Sequence, residues 1–192
     1  MERRAFLKKA GLGSIALGSA SGLASMLAIP AGASDRKKGD RQSTFVAQSQ
    51  AQTVGGVQHR VAMNGKVRFS PEKQTVSGGG NFVHFNNASP GTPKPILASG
   101  LWEAEEFISW DHNVGTYDHI NASILHLEIT LVPDGGEATE AVLRLICNIG
   151  AAGLFTGEAE GFVLTIPGTP FGPFRPLDPP LGLTHISTAD GG

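Results

Sequence analysis

The 192-residue chain has a single cysteine, Cys147, so no internal disulfide can staple the fold and stability must come from packing. It also lacks HExxH, CxxC, a P-loop, a GxSxG elbow and a dinucleotide fingerprint, which removes the chemistries that depend on those spacings. No histidine or methionine follows Cys147 in "NIGAAGLF", as a cupredoxin-like copper site would need, so Cys147 reads as a small buried apolar side chain. Basic charge is scarce as well. From Val57 onward there are 7 basic and 14 acidic residues. An acidic body offers no patch for nucleic acid or for an anionic membrane surface, and a nucleic-acid partner is not expected. What the chain has in quantity is turn-forming residues. Its 26 glycines and 12 prolines lie between apolar segments and form no low-complexity block, which suits a turn-rich β protein better than a disordered one.

The N-terminus carries a different pattern. Arg3-Arg4 is followed by one residue and then by Phe6-Leu7-Lys8, and Ala10 to Ile29 bears no charge. Eight of those twenty residues are Gly or Ser, whereas a membrane-spanning helix is normally richer in large apolar side chains. Ala31-Gly32-Ala33 supplies the small-x-small pattern of a signal-peptidase site, which places cleavage between Ala33 and Ser34. This segment resembles a twin-arginine (Tat) export signal, with Glu2 standing where Ser or Thr is usual. The resemblance covers residues 1–33. It implies engagement of the Tat translocase, export already folded to the periplasm or beyond, and no membrane attachment after cleavage; an uncleaved N-terminus would instead leave an envelope anchor. Without the four basic residues of the signal and Glu2, 11 basic and 16 acidic residues remain, a net charge of −5 with His neutral.

Residues 34–56, "SDRKKGDRQSTFVAQSQAQTVGG", are charged and then rich in Gln, Ser and Thr. Such a stretch is expected to be a flexible polar spacer, since it buries too little apolar surface to repay its ordering entropy. The all-β domain is expected over residues 57–178. Asn64-Gly65 predicts a hairpin turn, and Gly78-Gly79-Gly80 a break between strands. "WEAEEFISW" (Trp102 to Trp110) mixes helix and strand formers and is taken as strand. "SILHLEITLV" alternates cleanly, with Leu125, Leu127, Ile129 and Leu131 on one face and His126, Glu128 and Thr130 on the other. Ala141, Leu143, Leu145 and Cys147 alternate in the same way with Arg144 opposite. Prolines at 170, 173, 176, 179 and 180 predict an extended arm anchored by Phe171 and Phe174, and residues 179–192 a tail. The expected fold is a single antiparallel small β-barrel of about 7–8 strands, with a two-sheet β-sandwich as the alternative.

Candidate chemistry is sparse. "DHNVGTYDH" holds Asp111, His112, Asp118 and His119. Asp, Asn and Gly there suit a polar turn; a metal reading needs roughly three or four converging ligands. The better metal candidate combines strands: His84, His126 and Glu128 as two histidines and a carboxylate for a divalent metal, unless Arg144 pairs Glu128 as a salt bridge. Glu103, Glu105 and Glu106 raise the possibility of paired catalytic carboxylates, although adjacent glutamates more simply form a solubilising edge. Asn87 and Asn121 open Asn-x-Ser sequons. These features favour an exported, soluble, non-catalytic domain that binds a small-molecule or protein ligand or serves a structural role. The alternative is a metal-binding protein or metal-dependent enzyme built on His84, His126 and Glu128.

Overall fold

Eight strands form one antiparallel sheet: β1 (Arg41–Gln52), β2 (Gln58–Ser70), β3 (Thr75–Asn86), β4 (Ile96–Tyr117), β5 (Ile120–Pro133), β6 (Thr139–Cys147), β7 (Gly161–Thr165) and β8 (Arg175–Thr188). The computed structural model describes residues 39–52 and 58–188. The export signal at Arg3, Arg4, Phe6, Leu7 and Lys8, and the cleavage site at Ala31, Ala33 and Ser34, lie outside the described residues. The strand order is β4-β3-β2-β1-β8-β5-β6-β7, and β4 also pairs with β5. Six strands therefore close a ring. β5 is hydrogen-bonded along β4 on one side and touches β8 at Ile120 and Ser187 on the other. β6 and β7 continue outward from β5. The all-β antiparallel expectation holds.

Alternation builds the core as the sequence indicates. Leu125, Leu127, Ile129 and Leu131 of β5 and Ala141, Leu143, Leu145 and Cys147 of β6 are buried in one cluster with Phe45, Val67, Trp102 and Phe162. Burial pushes the Cys147 thiol up to about 11, so it stays protonated and inert. Asn121 is buried too, which removes it as a surface sequon.

Four expectations are corrected. Residues 41–52 are not a spacer: they form β1, between β2 and β8. Its inward positions are Ser43, Phe45, Ala47, Ser49 and Ala51, all buried, while the polar residues between them face out. Composition averaged over both faces hides that pattern. Asn64-Gly65 is not a hairpin, because β2 runs straight through it. Gly78 to Gly80 do not break β3; each lies in register with β2. The glycines serve close packing: a Cβ on Gly65 would meet the Trp102 ring at 2.3 Å, and one on Gly80 would meet the Asn64 carbonyl oxygen at 1.9 Å. Finally, residues 175–188 of the proline-rich arm and tail form β8. Leu181 to Thr188 pair with Arg41 to Gln48. The register then slips so that Pro176 opposes Ser49, leaving Asp178, Pro179 and Pro180 outside the ladder, where no N–H is needed. Phe174 anchors the approach to β8 as expected, buried and bridged to Leu164 by two backbone hydrogen bonds.

Candidate functional site

The stretch from Asp111 to His119 ends β4 and turns into β5. The register slips between Asp111 and Gly115, so its middle residues bulge out of the ladder. Asp111 Oδ1 accepts the backbone N–H of Asn113 at 3.1 Å, as in an Asx turn. Asp118 takes a left-handed φ of 54° in the turn, and its carboxylate contacts His119 Nδ1 at 2.9 Å. His112 instead stacks on Trp110 at 4.4 Å. The two histidines of this stretch have separate partners, and among the described residues no group of three or more His, Cys, Asp or Glu converges on a metal-sized site. The polar-turn reading accounts for these residues.

His84, His126 and Glu128 are also not brought together. On β5 the buried leucines face the core, so His126 and Glu128 point to the outer face. On β3, His84 shares the inward side with buried Phe82, two residues away. The two histidines thus lie on opposite faces of the wall. Glu128 is exposed and sits opposite Glu106 in the register. Glu103, Glu105 and Glu106 are exposed along β4.

His126 is chemically occupied. Arg144 Nε donates to its Nε2 at 2.6 Å, and Arg144 Nη2 pairs with Glu158 rather than with Glu128. An imidazole that accepts at Nε2 is neutral and carries its proton on Nδ1. Nδ1–H therefore donates to Ser109 Oγ, 3.1 Å away. This tautomer cannot take a proton from Ser109, and its lone pair is already engaged by the guanidinium. Partial burial and Arg144 both lower the pKa of His126.

His84 has a partner that sequence reasoning missed. His59 Nδ1 and His84 Nε2 are 2.9 Å apart at one end of the ring. Phe171 stacks on His59 with centroids 4.5 Å apart, and Phe174 meets His84 edge-on. Burial, and then His59, hold the His84 pKa down at about 4, so the His84 ring is neutral at pH 7. The clue lay in parity: His59 is in step with inward Val61 and Met63.

An exposed apolar feature lies on the outer face around β8. Leu183 stands opposite Val46 of β1, and the two are 67 % and 64 % exposed. Leu181 continues the ridge along β8, and Phe155, 63 % exposed, rises across from Leu183. Open grooves flank this ridge. One, of about 330 Å³, runs over Val46, Gln48, Asn64, Asn81 and Val83. The other, of about 410 Å³, lies between Phe155, Ala159, Pro180 and Leu183, with Glu158 and Glu160 at its side.

Comparison with protein-family models, curated proteins and solved structures finds no match.

The wall of the second groove is built to hold its shape. Asn148 Oδ1 accepts from Thr156 N and Oγ1 at 2.8 and 2.9 Å, while its Nδ2 donates to the Glu158 carbonyl. Glu160 accepts the backbone N–H groups of Asn148 at 2.5 Å and of Thr184 at 2.7 Å, which ties the segment before β7 to β8. Both partners are needed because the pairing of β7 runs to β6, not to β8. Burial raises the Glu160 pKa, partly offset by those two N–H donors. The sequence hid this face, since "PPLGLT" reads as a tail until β8 is seen to enter the sheet beside β1.

Proposed function

We propose that this chain is exported by the twin-arginine route and acts in the periplasm or outside the cell as a non-catalytic binding domain. It takes an apolar partner on the Val46–Leu183–Phe155 face. The observation that carries this reading is the run of large side chains left in water on adjacent positions of β1 and β8, with Phe155 across a groove from them. Leaving such surface solvated costs about 25 cal/mol per Å², which a covering partner recovers, and contiguous apolar patches on soluble proteins commonly mark interaction sites. The hydrogen bonds of Asn148 and Glu160 preorganise one wall, which lowers the ordering cost of binding. The export half of the proposal rests on Arg3, Arg4, Phe6, Leu7 and Lys8.

Titration of a fluorescent apolar dye and of short aliphatic peptides, followed by amide chemical-shift mapping, tests the face. Shifts should concentrate on Val46, Phe155 and Leu183, and Leu183→Asp should weaken binding about tenfold, the worth of roughly one buried leucine. Equal affinity of the variant and the parent would overturn the assignment. For export, the intact mass of the protein recovered outside the cytoplasm should correspond to a chain starting at Ser34; a full-length mass would point instead to a retained anchor.

A further inference from the structure

His59 and His84 occupy diagonal positions on the inner side of neighbouring strands. His84 faces Val61 across the β2–β3 ladder, and His59 faces Asn86. Their nearest ring nitrogens, Nδ1 and Nε2, are 2.9 Å apart, and both residues are half-buried, so the pair is open to solvent on one side. Phe171 and Phe174 pack against the other side, and the two ring planes lie at 41° to each other. Nothing in the binding-face proposal uses this pair.

We propose that His59 Nδ1 and His84 Nε2 form a two-histidine site for Cu²⁺, with water completing the coordination. The 2.9 Å separation is that of an N–H···N hydrogen bond between the rings. It is close to the ~2.8 Å between cis nitrogens about 2.0 Å from a tetragonal ion, so the rings need little translation to take one, whereas tetrahedral Zn²⁺ sets them about 3.3 Å apart. The affinity order of nitrogen donors for first-row divalent ions also peaks at Cu²⁺. The rings need not lose a net proton. The one that carries its hydrogen on the shared line moves it to its outer nitrogen, which frees both facing lone pairs for the ion. The rings then turn within their aromatic slot until those lone pairs point at a common centre.

Cu²⁺ alone is titrated into the full chain, with the parent compared against His59→Phe and His84→Phe, which keep an aromatic ring in the cluster. The parent should take up one ion whose electron paramagnetic resonance spectrum shows coupling to two imidazole nitrogens. Each variant should bind about tenfold more weakly or worse and lose that coupling, while His126→Ala should match the parent. If a phenylalanine variant does not fold, His84→Gln replaces it. A Cu²⁺ signal unchanged in both His59 and His84 variants would overturn the site and place the ion elsewhere, for example on the terminal amine. Zn²⁺ bound as tightly as Cu²⁺ would overturn the tetragonal geometry.

Discussion

Glu160→Ala is expected to lower the unfolding free energy by about 3 kcal/mol, because it leaves two backbone N–H groups without acceptors at roughly 1–3 kcal/mol each, less what groove water recovers. The donors belong to Asn148 and Thr184, on the two segments that Glu160 holds together. Beyond this carboxylate, the seam relies on Thr184 Oγ1 donating to the Gly161 carbonyl at 3.2 Å and Ser49 Oγ donating to the Phe162 carbonyl at 2.5 Å. Urea unfolding reads the loss, and a change below about 1 kcal/mol would mean that the seam closes without it. The pH dependence follows from the direction of the shift. Folding raises the Glu160 pKa above its ordinary 4.5. The folded state therefore binds this proton more tightly than the unfolded chain does, and the group's contribution falls as pH rises from about that value through the raised one. The stability advantage of the parent over Glu160→Gln should accordingly be larger at acid pH than at neutral pH. An advantage that grows toward neutral pH would show that the two N–H donors outweigh burial.

Gly65→Ala is expected to be as damaging, at about 3 kcal/mol, in the range of core overpacking with loss of a buried hydrogen bond. The added methyl would meet Trp102 Cζ2 at 2.3 Å and the Gly79 carbonyl oxygen at 2.8 Å, both inside contact distance. Trp102 cannot retreat. It is 1 % exposed, packs against Phe45 at 5.8 Å between ring centroids, and donates its indole N–H to the Asn64 carbonyl at 2.9 Å. The β2 ladder and the Trp102 slot would have to move together. Thermal unfolding checks this, with Trp fluorescence reporting the displaced indole. A variant with unchanged melting temperature and spectrum would show that β2 can flex away from β4 at this point.

Gly65 also shows where local sequence rules fail. Asn-Gly between alternating residues predicts a two-residue turn, but here the glycine makes room for a side chain that arrives from 37 residues later in the chain. The polar stretch before Val57 misleads for a related reason. Ser43 and Ser49 are fully buried, and Ser49 finds its acceptor on Phe162, a residue no local window contains. The sequence pairs His84 with His126 as a metal candidate, whereas its partner in the fold is His59. Two histidines 25 residues apart become neighbours only through the β2–β3 register. His126 and Glu128 were placed on the correct face, but which ligands that face offers depends on Arg144 and Glu158, brought in by β6 and the segment after it.

Alternation over "SILHLEITLV" and around Leu143 to Cys147, with glycine and proline between apolar runs, determined from the sequence alone that this is an antiparallel all-β domain with those residues inside. Period-two patterning is local, so a strand that carries it announces its buried face. Closure of the ring, the entry of β8 beside β1, the His59–His84 pair and the exposed Val46–Leu183–Phe155 face were decided by the tertiary structure. Each depends on which strand lies next to which, a choice set by summed packing over distant segments that no short stretch of sequence contains.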